Sequence, residues 1–344
     1  MAVKFKNIAI LLILILICGT VYSGPRKKFG LSAAPELLIP VGSFGTSLQG
    51  SNLASTSGID AMYWNPAGLS ELKSPKGEVM FSHMNYIADI NVEYLAGVFS
   101  LGNIGNFGVG LKAITFGKEL VTTVNYPDGT GETFSSLFLT ANVSYAKAMT
   151  DKIHFGSNIK IITQKIAEVS ATGFAADFGL QYIGGKTGLR FGIAIKNLGS
   201  SMRFDGPGLD KTYIDPNGQV VRRVNLQSFD LPTNLEMGLS YRLHLDKLQK
   251  HTVNLETAYM NGSFNSDEYR LGLEYNYASI ISIRGANVFY IDKDSGENLW
   301  GPTLGIGLKY PVGNMMLGID YAYRFVNESG LNSTNQFFTL NVGF

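Results

Sequence analysis

From about Gly77 to the last residue, apolar and polar residues alternate with a period of two. In residues 317–325 the odd positions are apolar or aromatic, and the even positions are small or charged. The same alternation recurs in 235–243, 271–277 and 338–344. This period is that of a β-strand with one apolar and one polar face. A soluble antiparallel sheet alternates too, so the pattern alone leaves the surroundings open.

The alternating segments number about fourteen, and each is near the length of a tilted strand that crosses a bilayer. We predict strands at 77–87, 90–101, 105–117, 136–149, 152–166, 172–183, 188–198, 232–244, 251–261, 267–277, 279–290, 302–311, 314–327 and 334–344.

The lengths of the connections give an independent indication. Connections after even-numbered strands are short, as at 150–151, whereas those after odd-numbered strands are mostly longer, as at 118–135, 167–171 and 199–231. The short first connection, around 88–89, is an exception. Such alternation is typical of outer-membrane barrels, which have short periplasmic turns and longer outer loops. We therefore predict an all-β fold, a transmembrane antiparallel β-barrel that occupies residues 76–344.

The N-terminus is predicted to be a signal peptide of residues 1–23. Two lysines precede an apolar run at 8–17, and Val21-Tyr22-Ser23 places small residues where a signal peptidase reads them. The run is shorter than the roughly 20 residues of a spanning helix. Cys18 raises a lipoprotein alternative, but the isoleucine before it is too bulky for the usual motif. Cleavage after Ser23 removes the only cysteine.

The composition agrees with a chain that meets two environments. Charged residues make up 16% of the sequence, below the roughly 25% that is usual for soluble proteins. The net charge is only +1, so no large field of one sign favours nucleic acid as a partner.

A distinct motif, Trp64-Asn65-Pro66-Ala67-Gly68-Leu69, lies within the segment 24–75 that precedes the strands. Asn tolerates unusual backbone angles, and Pro pushes the residue before it out of the helical region. Taken alone, the motif is equally well an ordinary turn that opens a short helix.

The motif and its Gly/Ser-rich lead, Gly42 to Gly58 and then Asp60-Ala61-Met62-Tyr63, resemble those of FadL-like outer-membrane barrels, most closely the PorV/PorQ branch. Where that branch usually carries an Arg-Ala-Met/Gly run, this chain has 45–50, so the subfamily stays open. The resemblance implies a hatch in the lumen, formed by roughly Val41 to Ser74 within the N-terminal segment and hatch of 24–75. Its implied hatch residues are Trp64, Asn65, Pro66, Ala67 and Gly68.

The resemblance implies two alternative functions. FadL-like transporters take up hydrophobic small molecules, such as fatty acids or hydrocarbons, past a hatch and through a lateral gap in the wall. PorV-like relatives instead serve type IX secretion or surface attachment in Bacteroidota-like bacteria and bind exported proteins. An apolar tunnel beside the hatch would favour transport, whereas ordered projecting loops without one would favour protein binding.

The expected location is the outer membrane of a Gram-negative cell, with several membrane passes. The expected partners are outer-membrane lipid and either a hydrophobic ligand or a secreted protein. The chain ends on Phe344 at the end of a strand, as outer-membrane barrels commonly do, and we expect this residue to engage the barrel-assembly machinery.

Charged residues on the polar faces of the strands are predicted to point into the lumen. An Arg or Lys that faces lipid at the midplane costs about 2–4 kcal/mol. Both signs occur in near balance, which favours a mutually neutralising network that holds the hatch over a single-sign selective ring. The predicted network comprises Asp177, Glu236, Arg242, Glu256, Arg270, Glu274, Arg284, Asp320 and Arg324.

Glycines inside strands are predicted to make room for a plug or to bend the wall. These are Gly108, Gly110, Gly305 and Gly307.

The largest predicted outer loop, 199–231, carries possible binding residues Phe204, Tyr213 and Phe229. Loops on a rigid wall commonly carry binding sites, although a merely solvated loop is the stronger alternative.

No pattern in the sequence favours enzymatic activity. His83, His154, His244 and His251 show no metal-ligand spacing, and no nucleophile elbow is present. We expect neither catalytic residues nor a metal site, and no cofactor.

Overall fold

A computed structural model describes residues 30–72, 74–87, 90–216, 218–291, 300–327 and 335–344. The predicted signal peptide lies outside these ranges. Within them, fourteen strands form one closed antiparallel barrel, and two further hairpins stand in the connections. The strands are β1 (Gly77–Asn85), β2 (Asn91–Ser100), β3 (Asn106–Thr115), β4 (Glu119–Leu120), β5 (Thr133–Phe134), β6 (Ser136–Ala148), β7 (Ile153–Ile166), β8 (Val169–Ile183), β9 (Leu189–Gly199), β10 (Asp210–Asp215), β11 (Gly218–Arg223), β12 (Asn234–His244), β13 (His251–Gly262), β14 (Glu268–Tyr277), β15 (Ile281–Tyr290), β16 (Trp300–Val312), β17 (Met315–Val326) and β18 (Asn335–Gly343).

Each barrel strand pairs with the barrel strands before and after it, and β1 pairs with β18 to close the barrel. The separate hairpins are β4–β5 and β10–β11. The predicted fourteen-stranded antiparallel barrel is therefore confirmed.

The two faces of the wall have opposite polarity. Leu271 and Leu273 on β14 are exposed, whereas Arg270 and Glu274, which lie on the opposite face of the same strand, are buried. The wall is thus apolar outside and polar inside, the reverse of a soluble protein. Since lipid is the solvent that accepts a continuous apolar exterior, this polarity distinguishes a membrane barrel from a soluble sheet.

One predicted long connection, 167–171, was wrong. β7 and β8 continue their pairing up to Ile166 and Val169, so the turn contains only Ala167 and Glu168. Ala167 has φ of +48°, the left-handed conformation that two-residue hairpins favour. The polar residues Glu168 and Ser170 resemble a loop in sequence, although the pairing runs through Ser170.

The hatch, described here over residues 30–72, fills the lumen with short helices. Its 3₁₀-helices are Pro35–Leu38, Ser51–Ala54, Gly58–Asp60 and Pro66–Ser70, and its α-helices are Ser43–Ser47 and Ala61–Trp64. Further 3₁₀-helices, Gly102–Ile104, Gly185–Thr187 and Pro207–Leu209, lie in connections of the barrel. Within the described ranges, none of the helices has the length and apolarity needed to cross a membrane.

Glycines on the inner wall let the hatch approach closely. A Cβ at Gly156 would overlap the carbonyl of Pro66, and one at Gly179 would overlap the side chain of Asn65. We call the wall glycines that touch the hatch the glycine belt, which comprises Gly108, Gly156, Gly179, Gly192, Gly238, Gly272 and Gly305.

Two pairs within the glycine belt face each other across neighbouring strands, Gly156 with Gly179 and Gly192 with Gly238. The prediction that strand glycines make room for a plug is met by Gly108 and Gly305, which face Met62 and Ser47. Gly110 and Gly307 instead face wall side chains.

Polar wall side chains supply the hydrogen bonds that the short hatch helices lack. Helix ends leave carbonyls without partners inside the helix, and a buried carbonyl needs another donor. Gln181 Nε2 donates to the carbonyls of Leu53 and Thr56 at 3.1 and 3.0 Å, and Asn106 Nδ2 donates to Leu69 at 2.8 Å. The inner wall of the barrel therefore supplies hydrogen-bond donors for the buried carbonyls of the hatch.

We expect Gly156→Ala to unseat the hatch, because the new methyl group meets rigid backbone at Pro66 and overpacking costs about 1–3 kcal/mol. The measurement is the midpoint of thermal unfolding in detergent, which should fall by several degrees. Gly97→Ala in β2 is the matched control, since its nearest neighbours would lie at an ordinary 3.7 Å. Equal midpoints for the two variants would contradict the close seating of the hatch.

Candidate functional site: a chamber above the hatch

A cavity of about 390 Å³ lies between the hatch and the strand ends that carry the longer connections. Hatch residues Tyr63 and Trp64 line it, together with Asn234, Glu268 and Trp300, the first residues of β12, β14 and β16. Its other lining residues are Leu37, Leu38, Pro40, Thr46, Gln49, Lys160, Lys196, Asn197, Glu236, Met260, Asn265, Arg270, Val288, Tyr290 and Arg324. We call this cavity the chamber.

Two aromatic side chains of the hatch contribute to the chamber floor. The rings of Tyr63 and Trp64 meet edge to face, with centroids 4.9 Å apart. The hydroxyl of Tyr63 donates to the carbonyls of Leu37 and Ile39 at 3.1 and 3.0 Å, which ties the ring to the start of the hatch. Lys196 lies 5.2 and 5.4 Å from the Tyr63 and Trp64 rings, within cation–π range.

Most charges at the chamber are paired. Glu236 lies 3.2 Å from Lys196 and 3.4 Å from Arg270, and Arg270 also pairs with Glu268 at 2.8 Å. Lys160 pairs with the buried Asp177 at 2.6 Å. These contacts keep each buried carboxylate beside a cation, as buried charges require.

Arg324 differs from the other chamber cations. Its guanidinium lies 3.6 Å from the ring centroid of Trp300 and 5.7 Å from that of Phe337. The side chain is 8% exposed, and its Nε and Nη2 are buried without a hydrogen-bond partner. Among the residues that the structure describes, no carboxylate forms an ion pair with it.

The other predicted network residues lie in the lumen outside the chamber. Arg284 joins Glu274 at 3.0 Å and Asp320 at 2.7 Å, and its guanidinium lies 4.3 Å from the ring centroid of hatch residue Phe44. This cluster thus links the wall to the hatch.

Two network residues have neutral partners instead. Glu256 accepts a hydrogen bond from hatch residue Ser55 at 2.8 Å. Arg242 donates to Asn254 at 3.0 Å. Only the first of these contacts reaches the hatch.

The hatch motif lies inside the barrel wall, away from the chamber except for Trp64. Asn65 Nδ2 donates to the carbonyls of Leu53 and Leu180 at 3.0 and 3.4 Å, and Asn65 Oδ1 accepts from the amide of Ala67. Pro66, Ala67 and Gly68 are buried in the following 3₁₀-helix. That this motif moves to open a path stays a prediction.

The wall beside the chamber contains a break in strand pairing. The β15–β16 ladder ends at Ala286 and Thr303, although both strands continue towards Tyr290 and Trp300. Gln49 of the hatch donates to the carbonyls of Ala286 and Gly301 at 3.3 and 3.0 Å, and so bridges the two strands. A hatch side chain therefore closes the wall where the ladder ends.

The predicted loop residues do not converge on one site. Phe204 packs against the cluster of Leu37 and Met202, whereas Tyr213 is exposed on β10. Phe229 pairs through its backbone with Met202. The β10–β11 hairpin instead contains an ion pair between its two strands.

The guanidinium of Arg223 pairs with Asp210 at 2.7 Å and holds the pKa of that exposed carboxyl below its usual range. Since both groups face solvent, this pair is screened and contributes little to stability.

Sequence reasoning missed Tyr63, Lys196 and Trp300 as chamber residues. Lys196 had a usable signal, because it follows the alternating Phe191, Ile193 and Ile195 and so belongs to the inner face. The two aromatic residues lie outside any alternating run, so only the packing of the hatch reveals them. Among the described residues, no three His, Cys, Asp or Glu side chains cluster as metal ligands do.

Comparison with known proteins finds similarity at the level of structure alone. No family model matches the sequence, and no curated protein matches it. The barrel is similar to the CymD monoaromatic hydrocarbon channel (14% identity, TM-score 0.55, 89% of this chain and 97% of that one).

The Pseudomonas putida toluene transporter TodX is also similar (12% identity, TM-score 0.54, 92% and 98% coverage), as is a Pseudomonas aeruginosa FadL homologue (11%, 0.50, 89% and 98%). The chain thus has the fold of FadL-like outer-membrane barrels. These comparisons give no support to the PorV/PorQ branch.

We expect Arg284→Met to destabilise the protein strongly, because it leaves Glu274 and Asp320 buried without their cation. Breaking a buried ion pair from one side costs about 3–5 kcal/mol. The measurement is the free energy of unfolding by guanidinium in lipid vesicles. Arg223→Gln, in the exposed loop pair, is the control and should leave stability unchanged; equal losses for both would refute a structural role of the buried cluster.

Proposed function

We propose that this protein is an outer-membrane channel that takes up small hydrophobic molecules through a hatch-gated lumen. The proposal combines the FadL-like fold with one observation, the chamber between the hatch and the strand ends that carry the longer connections. A plugged barrel with a pocket suits selective capture, whereas an open porin needs a continuous aqueous passage.

The size of the chamber supports a small ligand. Its volume of about 390 Å³ is near the lower end of ligand pockets, which span roughly 300–1,000 Å³. Leu37, Leu38, Val288 and Met260 provide apolar surface beside the aromatic rings. The lining is therefore mixed and not the wholly apolar tunnel that sequence reasoning associated with transport.

The break between β15 and β16 supports a sideways route from the chamber. Transfer of a bound hydrophobic molecule to lipid is favourable, because it keeps the apolar surface of the molecule away from water. Passage along the polar inner wall beside the hatch lacks this gain in free energy. Gln49 is the residue to displace, and its two hydrogen bonds are each worth about 1 kcal/mol net.

The tryptophans offer a direct test of ligand capture. The chain has only two, Trp64 and Trp300, and both line the chamber. We expect toluene or naphthalene to change intrinsic fluorescence saturably in detergent-solubilised protein. We also expect Val288→Phe, which narrows the chamber, to weaken binding several-fold and to slow uptake of the labelled compound by cells that produce the protein.

Val143→Phe is the matched control, because Val143 is exposed on the outer face of the wall. Its binding and uptake should equal those of the unaltered protein. A fluorescence response that never saturates, together with uptake that is indifferent to Val288→Phe, would refute the proposed function.

A further inference from the structure

The unpaired Arg324 narrows the class of hydrophobic ligands that the chamber would bind. We propose that the chamber selects small aromatic carboxylic acids, and that the carboxylate pairs with the guanidinium of Arg324. This inference rests on the proposed function, since the same chamber is the site. It adds a specificity-determining residue and separates acids from neutral hydrocarbons.

The described charges around the chamber do not balance. Its cations are Lys160, Lys196, Arg270 and Arg324, and the carboxylates that pair with the first three are Asp177, Glu236 and Glu268. One positive charge, that of Arg324, is left without a partner in the described part of the protein. Among these residues, a bound anion would balance the charge.

Burial of the Arg324 guanidinium without an anionic partner costs desolvation free energy. A guanidinium stays protonated even when buried, so it cannot relieve its desolvation by losing a proton. Its Nε and Nη2 are both buried and unsatisfied. A buried cation without an anionic partner is destabilising, and an anion bound beside the guanidinium would offset that cost.

The guanidinium of Arg324 is held beside the chamber by an aromatic ring. Its carbon lies 3.6 Å from the ring centroid of Trp300, within cation–π range. A guanidinium engages a carboxylate with a pair of parallel hydrogen bonds. An acid group is thus the best match to this unpaired cation.

The rest of the chamber lining indicates the shape of the ligand. The hatch residues Tyr63 and Trp64 line the chamber with Arg324. Around Arg324 lie rings and short aliphatic side chains in a small volume. This environment fits one or two flat rings better than a long flexible chain.

A neutral hydrocarbon of the same size would fill the apolar part but leave Arg324 desolvated and unpaired. A site built for a polar partner rejects analogues that lack it, because the buried polar groups are left unsatisfied. The chamber should therefore prefer the acid at pH 7, where such acids are ionised.

The test compares 2-naphthoate with 2-methylnaphthalene, and benzoate with toluene, by tryptophan fluorescence and calorimetry on the detergent-solubilised full chain. We expect each acid to bind at least tenfold more tightly than its neutral counterpart. Arg324→Met should abolish that preference by weakening the binding of each acid at least tenfold, and Arg223→Gln should behave as the unaltered protein does.

A stability measurement separates recognition from structure. Because Arg324 has no carboxylate to leave behind, Arg324→Met should be as stable as the unaltered protein or more so, whereas loss of stability would indicate a structural role and overturn the inference. Arg324→Lys, which keeps the charge but loses the fork, should retain only part of the preference.

The failure of this inference is distinguishable from that of the proposed function. Saturable binding of the neutral probes with no preference for acids, or an acid preference that survives Arg324→Met, overturns the role of Arg324 and leaves hydrophobic uptake standing. Absence of saturable binding by all four probes overturns both.

Discussion

The close contact between the hatch and the inner wall is the constraint on which the other features depend. A segment of short helices has many backbone groups without partners of its own, and it is stable in the lumen only if the wall supplies them. Gln181, Asn106 and Asn158 donate to hatch carbonyls, while the glycine belt removes the side chains that would keep the two backbones apart. Fixed in this way, the hatch leaves a chamber on the side of the longer connections.

The alternation of apolar and polar residues along the strands serves two purposes in the barrel wall. Lipid requires the outer positions to be apolar, and the alternation of a strand then places every polar residue inside. Most inner charges are used to neutralise one another or to hold the hatch, as in the cluster of Arg284 with Glu274 and Asp320. Arg324 is a buried cation of the chamber for which neither use is found among the described residues, which is why it points to recognition.

Sequence patterning predicted the barrel closely but not the site. Alternation specifies which residues of a strand share a face, so the inward position of residues such as Glu236 and Arg270 follows from the chain alone. The prediction of a long connection at 167–171 was wrong, because the pairing of β7 with β8 continues to Ile166 and Val169. The chamber was beyond its reach, because Tyr63, Trp64 and Trp300 meet only through the folding of an aperiodic hatch against strand ends that are distant in sequence.

The most direct measurement of the central claim is a crystal structure of the protein grown with 6-bromo-2-naphthoate, with anomalous diffraction used to locate the bromine. The account predicts one bromine peak inside the chamber, with the carboxylate within hydrogen-bond distance of the Arg324 guanidinium. A peak in the chamber with the carboxylate directed away from Arg324 would contradict the assigned selectivity. Bromine only on the outer surface of the barrel would contradict the chamber as the ligand site.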